Sequence, residues 1–249
     1  MLNKYIVLIV GTMAISTLIS SPIFAADPPG KAALSSSSNG AAAGTTGAAR
    51  PQATREDKQD ARQLLREAAR VIEKMKADPQ LAKLIERSKG IYVVPDFGRG
   101  ALVVGARGGA GVVLAHRRGK WSGPAFYDFG AISIGVQAGA SGGSVAFLLM
   151  SDSAIDAFMS GNKISLNAEA GLSIIDYSAN GQGSWGKGDI VMWSDNAGLY
   201  AGATISVSDV NWDDGNNRAF YGAKVEPAAV LNGSFQAPPV PELKKALPK

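Results

Sequence analysis

The chain has 249 residues, no cysteine, one histidine and a formal net charge of +4. The absence of cysteine excludes disulfides, thiolate metal sites and a lipid-modified N-terminal cysteine. The weak positive charge argues against a nucleic-acid binder, which needs a concentrated basic face, and a transition-metal site would have to be built almost entirely from carboxylates.

The first 25 residues are typical of an export signal. Lys4 supplies the basic start, residues 5–19 form an apolar run, and the stretch SPIFA ends at the small residue Ala25. The run is shorter than the roughly 20 residues that span a bilayer. We therefore expect cleavage after Ala25 and export to a bacterial periplasm.

A basic helix is predicted after a linker. Residues 26–54 are rich in Ala, Ser, Gly and Pro, which predicts a flexible linker. Residues 55–77 repeat apolar side chains at three- and four-residue steps, the pattern of an amphipathic helix. Such a helix is typical of contact with a membrane surface, although a solvated helix face accounts for the same spacing. Beside the apolar stripe, a basic residue recurs at every fourth position: Lys58, Arg62, Arg66, Arg70 and Lys74.

Beyond this helix the sequence predicts a second, short helix and then a sheet. Asp78 and Pro79 predict the cap and first turn of the second helix, which closes on Gly90. Residues 90–235 are glycine-rich, and their alternating apolar side chains predict antiparallel strands with one buried face. The alternation is clearest in residues 132–138, 166–174 and 199–207.

Further elements complete the predicted domain, which covers residues 55–235. Residues 144–150 are apolar on both faces and predict a central strand, and residues 152–161 predict a short helix. The proline-rich basic tail, residues 236–249, is expected to be an extended or loose end. The fold class is α+β, a glycine-rich, mainly antiparallel β-sheet domain with N-terminal amphipathic helices and short interspersed helices.

Three motifs resemble known sites without satisfying them. Residues 139–143 match a nucleophile elbow, but the only histidine precedes them and a strand follows. Residues 209–215 approach a calcium loop with a displaced glycine, so they are interpreted as an acidic surface loop, with weak calcium binding as the alternative. The glycines of residues 103–113 match no dinucleotide or P-loop pattern and indicate a tight turn or close strand approach. We expect no catalytic residue, metal or cofactor.

A second basic group is expected at the tip of a hairpin. An indole at headgroup level beside cations suits a membrane interface. An ordinary soluble hairpin is the alternative. The group consists of His116, Arg117, Arg118, Lys120 and Trp121.

Five sequence blocks carry a family resemblance. They are residues 88–114, 119–139, 153–161, 192–206 and 216–222. In content, order and spacing they resemble the SYLF family, a lipid-binding domain also known as the actin-binding domain of yeast endocytic proteins. The likeness extends over residues 81–233.

The resemblance implies a β-rich domain that binds anionic phospholipids, with an N-terminal amphipathic helix in lipid contact. Residues 55–77 correspond to that helix, but the family pattern does not fix individual contact residues. Export to a bacterial envelope favours phosphatidylglycerol or cardiolipin over phosphoinositides and actin.

The expected function is therefore non-enzymatic binding of an anionic phospholipid membrane, without nucleic acid, through the two basic groups. The alternative is an envelope structural or protein-interaction module, which contacts an unknown protein partner through its strand edges or residues 185–193.

Overall fold

The structure is a computed structural model. It describes residues 53–97, 108–134, 143–161, 163–177, 188–195 and 205–248. The predicted export signal, residues 26–52 of the predicted linker, residues 139–142 and residues 185–187 lie outside these ranges. The helices are α1 (Arg55–Lys76), α2 (Pro79–Arg87), α3 (Asp152–Ser160), α4 (Asp214–Tyr221), α5 (Pro227–Leu231) and α6 (Pro241–Ala246). The strands are β1 (Gly90–Phe97), β2 (Gly109–Arg117), β3 (Lys120–Trp121), β4 (Ala125–Phe129), β5 (Ala131–Ile134), β6 (Gly143–Leu149), β7 (Lys163–Leu166), β8 (Ile174–Asp176), β9 (Ile190–Ser194) and β10 (Ile205–Trp212).

The strands form a curled, mainly antiparallel sheet in the order β5-β10-β4-β2-β1-β6-β9-β8, with β3 beside β2 and β7 beside β10. Strand β8 pairs parallel with β9, and the other described pairs are antiparallel. The predicted α+β class is confirmed. Strand β6 lies between β1 and β9, which confirms the central strand that its doubly apolar sequence predicted.

Each face of the sheet covers its own core. In β1, Tyr92 and Val94 point into a core that α3 and α5 complete, whereas Ile91 and Val93 point into a second core under α1, α2, α4 and α6. All four side chains are fully buried. Because successive residues of a strand face opposite sides, a continuous apolar run supplies both cores.

Helix α1 begins with a capping box. Thr54 Oγ1 accepts from the backbone N–H of Asp57, and the Asp57 carboxylate accepts from the backbone N–H of Thr54. The apolar stripe of α1 is buried against the sheet and against α4 and α6. Within the described part of the chain, no helix has the length and apolarity to cross a bilayer. The buried stripe consists of Ala61, Leu65, Ala68, Ala69, Val71, Ile72 and Met75.

Helix α2 begins as predicted but ends earlier. Asp78 accepts from the N–H of Gln80, and Pro79 is the first helical residue. The helix ends at Arg87, because Ser88 is extended and Gly90 opens β1. A side chain at Gly90 would meet the carbonyl oxygen of Leu114 at 2.7 Å, so this glycine serves strand pairing and does not end the helix.

The alternating residues 166–174 are not one strand. Strand β7 ends at Leu166, and the Asn167 side chain accepts a 2.9 Å hydrogen bond from the N–H of Ala170. The Asn167 carbonyl accepts from Leu172, and Gly171 has a φ of +73°. This prediction was wrong because the asparagine side chain closes a local turn that competes with the sheet.

The tail differs from the expected loose end. Residues 241–246 form α6, in which Leu243, Ala246 and the following Leu247 are buried against the second core. Lys76 Nζ of α1 donates to the carbonyl oxygen of Ala246 at 2.8 Å. Pro241 starts the helix, and apolar residues three and four positions apart bind it to the fold.

The described glycines of residues 103–113 lie where strands approach closely. A Cβ at Gly108 would lie 1.5 Å from the carbonyl oxygen of Phe129, and one at Gly109 would lie 2.5 Å from that of Asp96. Carbonyl oxygens repel a phosphate, so these two positions are packing contacts, as the sequence indicated, and do not cradle an anion. Residues 103–107 lie outside the described ranges.

Candidate functional site

Strands β2 and β3 form the expected hairpin, with Arg117 opposite Lys120. Arg118 and Gly119 make the tip, with φ values of 53° and 71°. Two consecutive left-handed residues are what a type I′ turn requires, and asparagine followed by glycine is its preferred sequence. An arginine at the first position is therefore unusual.

His116 and Trp121 support this hairpin from its base. Their rings stack with centroids 4.5 Å apart and planes 11° from parallel. His116 Nδ1 lies 3.4 Å from the carbonyl oxygen of Ser88, and Nε2 is buried without a hydrogen-bond partner among the described atoms. Trp121 Nε1 donates to the carbonyl oxygen of Pro248 at 2.9 Å. The histidine is thus a packing residue, whereas Trp121 ties the hairpin to the C-terminal segment.

The cations of the hairpin divide into paired and unpaired ones. Arg117 lies 3.2 Å from the Asp156 carboxylate in an exposed pair, and such pairs are weak. Arg118 and Lys120 are exposed and have no ion-pair partner among the described residues. The tip therefore presents two cations to solvent.

Two neighbouring cavities meet at Lys120 and Trp121. The first, of about 620 Å³, is called the basic pocket. The second, of about 730 Å³, is called the apolar groove. The basic pocket is lined chiefly by Arg117, Arg118, Lys120, Trp121, Asn232 and Ser234. The apolar groove runs between the hairpin and the C-terminal segment and is lined chiefly by Leu114, Trp121, Phe235, Val240, Leu243 and Leu247, with Lys120 and Lys244 beside them.

Sequence reasoning missed Lys244. The tail was expected to be loose, so its lysines were not assigned to the hairpin. In the structure, α6 places Lys244 on the same groove as Lys120. The apolar spacing after Pro241 is the signal that identifies this helix.

The predicted basic row lies on the outer surface of α1. Arg62 and Arg70 are exposed, as is Lys58. Arg66 donates to the Gln63 side chain at 2.7 Å, and Lys74 binds the Asp195 carboxylate at 2.9 Å. Because the apolar stripe of α1 is inside the fold, the row offers charge alone and no insertable apolar face.

The predicted acidic loop at residues 209–215 has a different structure. Its first residues belong to β10, and the Asp213 side chain caps α4 by accepting from the N–H of Asn216 at 2.8 Å. That interpretation as a loop was wrong, since the carboxylate of Asp213 is used as a helix cap. Across the described part of the chain, no group of three or more histidine and carboxylate side chains is arranged to hold a metal ion.

The cap places a second carboxylate near Asp128 of β4. Loss of hydration and, to a smaller extent, the nearby Asp213 carboxylate together raise the pKa of the Asp128 carboxyl from its ordinary value of 3.8 to about 6. Asp128 is nevertheless an exposed residue of the sheet, the one exposed position of β4. Ionisation of Asp128 therefore disfavours the native state above about pH 6.

Replacing Asp128 with asparagine is expected to stabilise the protein at neutral pH by about 1 kcal/mol, a figure reduced for the residual exposure of this side chain. The folded pKa is raised, so the ionisation penalty is complete above about pH 6 and vanishes below about pH 4, where the carboxyl is protonated in both states. Urea unfolding at pH 7.5 and pH 3.5 measures the difference.

The control for this change is Asp152→Asn. A hydrogen bond from Lys89 lowers the pKa of Asp152, so its replacement should bring no stabilisation at neutral pH. A gain at Asp128 that persists unchanged at pH 3.5 would contradict the electrostatic explanation.

Comparison with known proteins shows which family and which relatives the chain resembles. Residues 130–249 match the model of the Ysc84 family, described as Las17-binding protein actin regulator. Over 193 residues, 76% of the chain, the sequence is 25% identical to the SH3 domain-containing YSC84-like protein 1 of Homo sapiens and 26% identical to that of Mus musculus, in each case across 56% of the relative. It is 27% identical to Protein YSC84 of Saccharomyces cerevisiae over 162 residues, 63% of the chain and 34% of that relative. The chain thus spans about half the length of the mammalian relatives and a third of the yeast one.

Proposed function

Because residues 130–249 match the Ysc84 family, the SYLF-type family that the sequence resembles, we propose that the protein binds anionic phospholipid at a membrane surface without catalysing a reaction. The contact is the β2–β3 hairpin, and the basic row of α1 adds a longer-range attraction. The site belongs to a bacterial envelope membrane, in which phosphatidylglycerol and cardiolipin supply the negative charge.

The observation that carries the proposal is Arg118 at the hairpin tip. A residue other than glycine, asparagine or aspartate costs roughly 1–2 kcal/mol in the left-handed region. Arg118 adopts that conformation, is exposed, and has no ion-pair partner among the described residues. Strained backbone of this kind is concentrated at functional sites, so we infer that the arginine is kept for its charge.

The surroundings of Arg118 suit a lipid headgroup. Lys120 adds a second unpaired cation, and Trp121 presents an indole beside them. A tryptophan at headgroup level and cations opposite phosphates are the pattern of membrane-interface proteins. Each such cation contributes on the order of 1 kcal/mol to binding of an anionic surface.

The proposal is tested by co-sedimentation with phosphatidylcholine vesicles that contain increasing amounts of phosphatidylglycerol. The variant is Arg118→Asn with Lys120→Gln, which removes both cations and gives the turn its preferred residue. We expect binding of the native protein to rise with phosphatidylglycerol and fall with salt. The variant should bind roughly 30-fold more weakly, the equivalent of about 2 kcal/mol, while its melting temperature stays equal or rises by about 2–4 °C.

The matched control removes two exposed lysines elsewhere, Lys83→Gln in α2 and Lys224→Gln before α5. It has the same net charge as the variant and should keep most of the affinity. A separate variant with Arg62, Arg66 and Arg70 changed to Glu measures the contribution of the α1 row. Equal binding to neutral vesicles, or an equal loss in the variant and its control, would overturn the proposal.

A second candidate is binding of a protein partner. The family description names a Las17-binding protein, and a yeast relative is called LAS seventeen-binding protein 3. These names describe those proteins, of which this chain covers only part. Normal recovery of an envelope partner by the hairpin variant, together with absent vesicle binding by the native protein, would favour this candidate.

A further inference from the structure

The apolar groove shares Lys120 and Trp121 with the basic pocket, so an apolar surface and a cationic surface meet along one edge. We propose that the groove binds one acyl chain of an anionic lipid, whose headgroup lies in the basic pocket and against Lys120 and Lys244. This inference rests on the proposed function and extends it from a contact with the membrane surface to a site for a single lipid molecule.

The walls of the groove are suited to a hydrocarbon chain. One wall is the hairpin, with Leu114 and the Trp121 indole, and the other is the C-terminal segment, with Phe235, Val240 and Leu247. Its volume of about 730 Å³ lies within the range of roughly 300–1,000 Å³ typical of pockets that bury a small organic ligand.

The walls are held in position by two hydrogen bonds to the C-terminal segment, one at the last residue of α6 and one just after it. The Trp121 indole donates to Pro248, and Lys76 of α1 donates to Ala246. Leu243 of α6 and Leu247, which follows the helix, are both buried in the second core. The groove is therefore formed before a ligand arrives, which reduces the ordering cost of binding.

Charge identifies the ligand as an amphiphile with an anionic head. Lys120 and Lys244 lie on the groove, are exposed, and have no ion-pair partner among the described residues. Arg118 lies on the basic pocket beyond Lys120. A hydrocarbon chain satisfies the apolar walls, and a phosphate at one end meets all three cations.

The first test uses the native protein with octyl, decyl and dodecyl phosphate, each below its micelle concentration, and inorganic phosphate as a probe of the headgroup alone. Calorimetry should show affinity that rises roughly tenfold for every two added methylenes, because each is transferred from water into the groove. Inorganic phosphate should bind at least 100-fold more weakly than dodecyl phosphate. Affinity independent of chain length would overturn the acyl-chain site.

The second test fills the groove by Val240→Trp. Val240 is half-buried, precedes α6 and lines the groove but not the basic pocket, so a larger side chain there occupies space inside the groove. Dodecyl phosphate should bind at least tenfold more weakly to this variant. The matched control is Glu242→Trp, which places the same indole at an exposed position of α6 and should keep native affinity. Equal affinity of both variants would contradict the proposal.

A third measurement covers the case in which Val240→Trp does not fold. Dodecyl phosphate brominated near its terminal carbon should quench the fluorescence of the native protein, and Trp121→Phe should remove most of that quenching. No quenching, or quenching that Trp121→Phe leaves unchanged, would place the acyl chain elsewhere and overturn the site.

Vesicle co-sedimentation separates the two proposals. Native binding to phosphatidylglycerol vesicles, together with alkyl phosphate affinity that does not depend on chain length, refutes the groove alone. Absent vesicle binding refutes the membrane function.

Discussion

Gly111→Val is expected to leave no soluble, folded protein. Gly111 lies in the middle of β2, and a Cβ there would be 2.4 Å from Cε2 of the Tyr92 ring. That ring is fully buried, with the ring centroids of Phe147 and Phe158 at 5.9 and 5.2 Å, so it has no space to move. Overlap of this kind should cost more than about 4 kcal/mol, a large part of the stability of a typical domain.

The measurement is the soluble yield and circular dichroism of the purified variant. Ala110→Val is the matched control, because its side chain lies on the other face of β2 and valine favours strands. It should fold normally. A soluble Gly111→Val protein with native melting temperature would contradict the steric explanation. If that folded protein had lost only lipid binding, the result would indicate that Gly111 contacts the lipid directly.

Asn217→Ala is expected to destabilise the protein by about 3 kcal/mol. Asn217 is buried in α4, and its Oδ1 accepts from the N–H of Phe126 at 3.1 Å. Its Nδ2 donates to the carbonyl oxygens of Phe126 at 2.8 Å and Asp213 at 2.7 Å. The side chain thus joins α4 to the backbone of β4. Its removal leaves the Phe126 N–H buried without this acceptor, the costly case for a hydrogen bond.

The expected fall in melting temperature is about 6–12 °C for a chain of this size. The control is Asn232→Ala, since Asn232 is exposed and its side chain accepts only a local 2.8 Å hydrogen bond from Ser234. That change should cost less than about 1 kcal/mol. Equal losses from the two substitutions would show that the Asn217 network does not join α4 to β4.

Local patterns in the sequence were enough to predict some elements of the fold, but not the helices α4, α5 and α6. The doubly apolar residues of β6 indicated a central strand, and the basic turn at Arg118 indicated a hairpin tip. Both are short-range properties, since burial on two faces favours a continuous apolar run and the left-handed turn takes a glycine, Gly119, at its second position. The strand predicted for residues 166–174 was wrong because the Asn167 side chain closes a turn inside this alternating run.

The sequence predicted the hairpin of the candidate site but not the apolar groove beside it. The hairpin cations are adjacent in the chain and could be recognised together. The apolar groove depends on the C-terminal segment, in which the Pro248 carbonyl oxygen accepts a hydrogen bond from Trp121, more than a hundred positions earlier. No local pattern reports such a contact. The structure likewise changed the interpretation of His116 from a member of the exposed basic group to a half-buried ring that stacks on Trp121.

The buried stripe of α1 has a thermodynamic consequence for any lipid surface. The same apolar side chains that would enter a bilayer hold α1 on the sheet, so insertion and the native fold compete for one set of residues. A ligand that binds only the unfolded form of a protein shifts the equilibrium toward that form. A bilayer that took up the apolar face of α1 would therefore act on this protein as a denaturant does, and attachment that preserves the fold has to rely on its cations and its groove.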